Sequence, residues 1–244
     1  MFKIELSLIE YLQGMFSLLF VSVFLIVGTI ILLKYFKLKR QDFLFVGIAW
    51  IGIVSPWWGD AINMLLILFF DTILEEMVYL IIVVAIAPIP LMCWLIAFTD
   101  LVYPHMRKLI LIAFLIFSIT IEILFFSFLF ANPTNIATFK SPFQVQYNEF
   151  IQIYFLIILI IFILTGLLFS RETLKSENPE LKLKGKLLFL AFIVLAIGSV
   201  LDAFIPLTPI TVVITRVILS SSAIFFYFGF ILPKAIKNFF LKEI

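Results

Sequence analysis

Residues 201–233 read LDAFIPLTPITVVITRVILSSSAIFFYFGFILP, and this stretch indicates the fold class. An acid, Asp202, precedes a turn that contains Pro206 and Pro209, and a long apolar helix follows. That helix carries Arg216 among mostly apolar neighbours. An arginine at such a depth in a bilayer is costly, and it usually has a partner or faces a water-filled cavity. The stretch therefore predicts a membrane helix with a polar site inside the protein.

The composition of the whole chain excludes an ordinary soluble domain. Of its 244 residues, 64% are apolar and 13% are charged, whereas soluble domains have about half and about a quarter. Cys93 is the single cysteine and His105 the single histidine, which excludes a disulfide framework and most zinc or triad chemistry. We expect an all-α, polytopic protein of the cell membrane whose first partner is the lipid bilayer. We expect no catalytic residue, no cofactor or metal, and no nucleic-acid partner.

Apolar runs of about 20 residues, the length that crosses the hydrocarbon core of a bilayer, recur along the chain. We predict seven membrane spans, at residues 14–33, 43–58, 77–98, 109–131, 150–169, 187–207 and 209–232. The second span either ends at Trp58 or continues, kinked at Pro56, as far as Phe70. Residues 61–76 are therefore either this continuation or a short helix at the membrane surface. Pro88 and Pro90 interrupt the third span.

Lysine and arginine are distributed unequally between the two sides of this predicted bundle. Lys3 and Lys140 lie on one side, and 14 of the 17 basic residues lie on the other. These are Lys34, Lys37, Lys39, Arg40, Arg107, Lys108, Arg171, Lys175, Lys182, Lys184, Lys186, Lys234, Lys237 and Lys242. Because short cytoplasmic loops carry an excess of basic residues, we predict an outside N-terminus and a cytoplasmic C-terminus.

Residues 1–233 are predicted to form the seven-helix domain, and residues 234–244 a separate tail. The tail places Ile236, Phe239, Phe240 and Ile244 at helical spacing with lysines between them. This pattern is typical of an amphipathic helix on the inner leaflet of a membrane. A frayed terminus explains the same residues equally well.

Three charged residues from three predicted helices lie at a similar depth. With a rise of 1.5 Å per residue, Arg216, Glu122 and Asp202 all lie roughly 10 Å below the outer face. One interpretation is a layer of structural ion pairs that holds the helices together. The other is the floor of a cavity open to the outside, where Arg216 binds the carboxylate or phosphate of a ligand.

Asp60 is a fourth candidate for this polar site. If the second span is kinked, Pro56 and Gly59 loosen the backbone around Asp60, and the tryptophan rings form flat walls beside it. The candidates for lining such a cavity are Trp57, Trp58, Asn63, Tyr154, Ser220 and Tyr227. Arg216, Ser220 and Tyr227 are predicted to share one helix face because they are spaced i, i+4 and i+11.

Seven helices with an outside N-terminus are also the topology of rhodopsins and of receptors coupled to G proteins. A retinal protein needs a lysine in the last helix for its Schiff base, where this chain has Arg216. The third helix ends in AFTD, without the Asp/Glu-Arg-Tyr signature of the receptors, and the seventh ends in YFGFILP, without their Asn-Pro-x-x-Tyr. The residues therefore favour neither class.

The chain resembles the seven-helix input modules of prokaryotic membrane sensors, such as those fused to histidine kinases. The resemblance rests on the topology, the short connections and the acidic, proline-rich turn DAFIPLTP before the last helix. It implies a sensor that acts through a cytoplasmic signalling partner or a homo-oligomer. The shared depth of Arg216, Glu122 and Asp202 adds the hypothesis that a small anionic or amphipathic ligand binds from outside.

Two other functions remain open at the level of the sequence. The first is a small secondary transporter or channel in which Glu122 couples an ion or a proton. The second is a non-catalytic subunit of a membrane complex, in which the buried charges serve packing alone.

Overall fold

The computed structural model describes residues 4–206 and 208–241, most of which lie in helices. Lys3, Leu207, Lys242 and Ile244, which enter the predictions above, lie outside the described residues. Within this part of the chain, seven helical segments are long and apolar enough to cross a membrane. This number agrees with the prediction.

The first segment is α1 (Leu8–Leu38), and the next two are interrupted. The second comprises α2 (Gln41–Gly52), a 3-10 turn (Ser55–Trp57) and α3 (Trp58–Phe70); the third comprises α4 (Glu76–Leu80), a π-helical turn (Ile81–Ala85) and α5 (Pro88–Leu101). The remaining helices are α6 (Arg107–Ala131), α7 (Glu149–Leu174), α8 (Pro179–Phe204), α9 (Pro209–Ile231) and the short α10 (Lys234–Phe240). Two further 3-10 turns, Pro104–Met106 and Pro133–Asn135, flank α6.

The interruptions occur at the prolines. The second segment bends at the 3-10 turn that contains Pro56 and then continues to Phe70, as in the kinked alternative. In the third segment, Pro88 and Pro90 cannot donate to the carbonyls four residues before them. The carbonyls of Val84 and Ile86 instead accept from Ala87 and Ile89 at 3.2 and 3.1 Å. The chain thus bends without leaving these two carbonyls unpaired.

A β-hairpin joins α6 to α7. Its strands β1 (Ala137–Ser141) and β2 (Gln144–Tyr147) pair antiparallel, with Ala137 opposite Tyr147. We call the end of the bundle that carries this hairpin the hairpin end. The opposite end, which carries most of the lysines and arginines, is the basic end. The all-α prediction omitted the hairpin.

The packing order of the helices decides which side chains can meet. Helix α1 packs against α2, α3 and α9, and α8 lies between α7 and α9. Helix α5 packs against α2, α6 and α7. Helix α6 is peripheral, since only 17% of its most apolar stretch is buried. Side chains of α6 therefore mainly face α5, α7 or the surroundings of the bundle.

Glycines allow α1 and α2 to approach each other closely. A Cβ added at Gly28 would lie 2.8 Å from the backbone nitrogen of Ile51, and one at Gly47 would lie 2.7 Å from Cα of Leu32. Both clashes involve backbone, which cannot move aside as a side chain can. Such small-residue contacts are a common way for membrane helices to pack.

Aromatic side chains fill the bundle on the basic side of Arg216. Trp50 is fully buried, and its ring contacts Trp94, Phe192, Phe226 and Phe230 edge-on at centroid distances of 4.7–6.2 Å. Edge-to-face aromatic pairs typically contribute about 0.5–1.5 kcal/mol beyond the area they bury. This aromatic core therefore lies between the polar groups near the hairpin end and the basic end.

At the basic end, α8 extends beyond the predicted span and the described part of the tail is helical. Helix α8 begins at Pro179, eight residues before the predicted Leu187, because the Asn178 side chain caps it and Pro179 suits a first helical position. In the tail, α10 packs Ile236 against Leu183, Leu187 and Leu232, and Lys237 pairs with Glu180 at 2.7 Å. Phe239 and Phe240 are exposed, so the described tail has a helical, partly apolar surface.

Candidate functional site

The polar site begins with an ion pair between α8 and α9. Nη1 of Arg216 lies 2.8 Å from Oδ1 of Asp202. The Thr208 side chain caps α9 and Pro209 begins it, so the helix starts at a defined residue and places Arg216 two turns inside. Only 3% of Arg216 is exposed, whereas the Asp202 side chain is 16% exposed. The acid is therefore the member of the pair nearer to the surroundings.

Trp57 joins this pair from the 3-10 turn of the second segment. Its indole Nε1 donates to Oδ2 of Asp202 at 3.0 Å. The same ring lies against the Arg216 guanidinium, with Cζ 5.7 Å from the ring centroid, a cation–π distance. The kink at Pro56 brings the indole to this position, so three distant parts of the chain meet around one guanidinium.

The Arg216 guanidinium is not fully hydrogen-bonded. The N–H groups of Nη1 are not aligned with Asp202 despite the short distance, and Nε has no acceptor either. No residue of 4–206 or 208–241 accepts a hydrogen bond from these two buried nitrogens. Leaving a buried donor unpaired costs about 1–3 kcal/mol, and more for a charged group. The guanidinium thus has N–H donors that a further acceptor could use.

Asp60 forms a second polar group next to the pair. Its Oδ1 accepts from the Tyr79 hydroxyl at 2.8 Å and its Oδ2 from the Ser17 hydroxyl at 3.4 Å. Asp60 is 5% exposed, and its charge lies close enough to interact with those of Arg216 and Asp202. The positive charge of Arg216 therefore interacts with two carboxyl groups, those of Asp202 and Asp60.

The hairpin supplies Tyr147 to the same region. Burial raises the pKa of the Tyr147 hydroxyl well above its ordinary value, and the nearby Asp60 charge raises it further, while a hydrogen bond with Tyr79 opposes the shift. Tyr147 therefore remains a neutral hydroxyl beside Tyr79. It links the hairpin to the buried acid.

The hairpin covers the ends of α1 and α3. Asn63 donates from Nδ2 to the carbonyl of Pro142 at 2.8 Å, and Gln13 donates to the carbonyl of Phe143. A Cβ added at Gly14 would lie only 2.7 Å from Cζ of Phe143, so the Phe143 ring packs directly on this glycine. These contacts hold the hairpin turn against α1 and α3, next to the polar groups.

Asn63 therefore has a different surrounding from the one predicted. Its Oδ1 accepts from the backbone of Leu74 at 2.8 Å, so both ends of its amide bind backbone. It fastens the hairpin turn to the loop after α3 through one N–H and its carbonyl oxygen. The sequence could not indicate this because both partners are distant along the chain.

Glu122 does not join the arginine. Among the described residues, no hydrogen bond or ion pair links it to Arg216 or Asp202, and Arg216 pairs with Asp202 alone. Glu122 instead lies in a groove of about 750 Å³ between the third segment and α6. Depth estimated from helical rise is insensitive to the direction in which a side chain points, and α6 does not pack against α9. The three-charge layer is thus divided between two places.

The other predicted lining residues lie outside the polar group. The Tyr154 side chain is buried on α7 against Phe117 of α6, and its hydroxyl has no partner among the described residues. Trp58 is half-buried against the core, and its indole nitrogen is likewise unpaired within the described chain. On α9 the buried face runs through Val212, Thr215, Arg216, Leu219, Ser222, Ala223 and Phe226. Arg216 stands at one edge of that face, and the half-buried Ser220 and Tyr227 lie beyond it.

Sequence reasoning overlooked Ser17, Tyr79 and Tyr147. Ser17 and Tyr79 are polar side chains inside apolar segments, and that was the signal available for them. For the hairpin, the alternation in QVQY after the turn residues Ser-Pro is a strand signal. None of these signals indicates that the three side chains converge on Asp60.

Within the described ranges, no group of three or more His, Cys, Asp or Glu side chains could hold a metal ion. The buried polar groups instead offer one guanidinium, two carboxyl groups and phenol or indole donors. No protein-family model matches the chain, and no curated protein matches it either.

Proposed function

We propose that the protein is a sensor- or receptor-like membrane module that binds a small anionic ligand at Arg216. The observation that carries the proposal is the buried guanidinium whose Nε has no acceptor in the described chain and whose Nη1 has only the poorly aligned Asp202 carboxylate. A carboxylate or phosphate suits a guanidinium because it can accept two parallel N–H bonds. Asp202 then acts as an internal competitor that neutralises Arg216 when no ligand is bound.

The orientation of the chain is part of this proposal. Basic residues cluster at one end of the bundle, and the positive-inside rule assigns that end to the cytoplasm. The hairpin end and the Arg216 site then face the outside of a cell membrane. A ligand would arrive from that side, where Asp202 is partly exposed and the α8–α9 turn at Ile205, Pro206 and Thr208 is exposed.

Displacement of Asp202 provides a way to transmit binding. The ion pair joins α8 to α9, so exchanging it for a ligand frees α8 from α9 at the hairpin end. Pro206 and Pro209 stand in the turn between the two helices and can absorb the change. At the basic end, α8 and α10 are joined through Glu180 and Lys237, so a movement of α8 would reach the surface offered to a cytoplasmic partner.

The test measures anion binding to the purified full-length protein in nanodiscs. Acetate, benzoate, sulfate and inorganic phosphate are titrated while tryptophan fluorescence and thermal unfolding are followed. We expect at least one anion to change the fluorescence of Trp57. The change is assigned to Trp57 if it disappears in Trp57→Phe. Asp202→Asn should bind that anion about tenfold more tightly, since it removes a competing carboxylate, and Arg216→Gln should not bind it.

The control is Arg40→Gln, which breaks an Arg–Asp pair with Asp42 of similar length, 2.7 Å, at the exposed basic end. It should leave anion binding unchanged. If no anion affects Asp202→Asn, in which Arg216 has lost its carboxylate partner, the proposal is wrong. Equal binding by wild type and Arg216→Gln would reject it as well.

A further inference from the structure

The groove that contains Glu122 lies on the flank of the bundle, away from Arg216. It has a volume of about 750 Å³ and is lined mainly by apolar side chains of the third segment and α6. This size is typical of small-molecule sites. Its rim residues Ile89, Ile119 and Ile123 are exposed. The groove therefore opens sideways, on the surface that a seven-helix bundle turns toward lipid.

The polar lining of the groove consists of hydrogen-bond acceptors and one thiol. Oε1 of Glu122 is buried and has no partner among the described residues. The hydroxyls of Ser118 and Ser127 donate to the carbonyls of Phe114 and Ile123 at 2.8 and 2.7 Å. Because their protons are engaged within α6, both hydroxyls can offer only lone pairs to the groove. An occupant that brings hydrogen-bond donors therefore complements this lining.

We propose that this groove binds a long-chain primary amine from the bilayer, with its ammonium group on Glu122 and its chain along α5 and α6. An ammonium supplies three donors and the compensating charge, and a carboxylate held away from water binds it strongly. The lateral opening favours an occupant that is already dissolved in lipid. The proposal is independent of the one for Arg216.

A second copy of the chain does not complement the groove in the same way. Within the described residues, Arg216 is the only lysine or arginine in the middle of a span; the others lie near the two ends of the bundle. Arg216 is also buried. A neighbouring copy thus has no cation on its flank at the level of Glu122. This leaves the amine of a lipid-soluble molecule as the better match.

Cys93 provides a direct readout, because it lines the groove and is the only cysteine of the chain. The full-length protein is placed in nanodiscs of phosphatidylcholine, a lipid without a primary amine, and the rate of Cys93 alkylation by N-ethylmaleimide is measured. Dodecylamine is added as the probe, with dodecanoate and dodecane as matched chains of opposite charge and of no charge.

We expect dodecylamine to slow alkylation and the other two chains to leave the rate unchanged. Glu122→Gln should weaken the protection at least about tenfold, as expected for loss of a charge-assisted contact. Glu76→Gln is the matched control, since it removes an exposed carboxyl group of the third segment that lies outside the groove. Its protection should equal that of the wild type.

Glu122→Lys gives a second, independent reading, in which dodecanoate should protect Cys93 and dodecylamine should not. The proposal is overturned if dodecylamine fails to protect the wild type, or if Glu122→Gln is protected as well as the wild type. Equal protection by all three chains overturns it too, because the groove would then recognise hydrocarbon alone. Protection that needs no added amphiphile and rises with the protein-to-lipid ratio would identify a second copy as the occupant and also overturn it.

Discussion

Arg216 is held by one carboxylate and one indole, and this arrangement has consequences for stability. The guanidinium contacts Asp202 at 2.8 Å and lies over the Trp57 ring. Moving such an ion into the interior of a protein costs several kcal/mol, which a single partner only partly offsets. The pair therefore matters chiefly because removing either member leaves the other as an unpaired charge.

Arg216→Met should lower the free energy of unfolding by about 3 kcal/mol, because Asp202 loses its counter-charge. The double variant Arg216→Met/Asp202→Leu should recover part of that loss, since Asp202 is no longer left unpaired, while the buried Asp60 still lacks the guanidinium. Unfolding of the purified protein in mixed micelles by a denaturing detergent measures both values. Arg40→Met, at the exposed pair, should cost less than about 1 kcal/mol. A double variant less stable than Arg216→Met would contradict the role of the ion pair.

The hairpin is the element that closes the polar end of the bundle. Its turn is fastened by Asn63 and Gln13, and Phe143 fills the space beside Gly14. Phe139 also packs edge-on against Tyr79, with ring centroids 5.3 Å apart. The hairpin thus contacts the same tyrosine that donates to Asp60, so its position and the polar group are coupled.

Asn63→Ala should loosen the hairpin while leaving the helices packed. The substitution removes the donor to Pro142 and the acceptor for Leu74, two contacts that each typically contribute about 1 kcal/mol. Hydrogen exchange should therefore quicken in residues 137–147 and near Leu74, with α5 and α9 unchanged. Asn132→Ala is the control, because its side chain bonds only the nearby backbone of Thr134. Uniformly faster exchange throughout the bundle would show that Asn63 supports the whole fold instead.

At the scale of the whole molecule, two polar regions lie apart in an otherwise apolar bundle. The Arg216 group is near the hairpin end, and the aromatic core around Trp50 separates it from the basic end. Glu122 lies on the flank. The proposed function is that of a binding module, so it predicts no flux through the bundle.

The orientation of the molecule can be tested with introduced cysteines. In a Cys93→Ser background, Lys140→Cys on the hairpin should react with a membrane-impermeant maleimide added to intact cells. Lys182→Cys, at the basic end, should react only after the cells are permeabilised, because basic loops are retained in the cytoplasm. Both side chains are exposed in the wild type. The reverse labelling pattern would invert the proposed orientation.

The sequence by itself determined the number of apolar segments, their approximate ends, the kink alternatives and the concentration of basic residues at one end. These follow from local properties, namely hydropathy, the distribution of lysine and arginine, and the missing N–H of proline. It also identified Arg216 and Asp202 as charges at a shared depth, and the two side chains meet at 2.8 Å.

Only the tertiary structure decided which side chains share a surface. Glu122 has the right depth for Arg216 but lies on a peripheral helix that does not pack against α9. Asn63 donates a hydrogen bond to the hairpin turn, and Ser17 and Tyr79 donate to Asp60 from other segments. Helical rise sets the depth of a residue, whereas its neighbours depend on the order and rotation of the packed helices. Those depend on contacts between residues far apart in the chain, such as the close approach of Gly28 and Gly47.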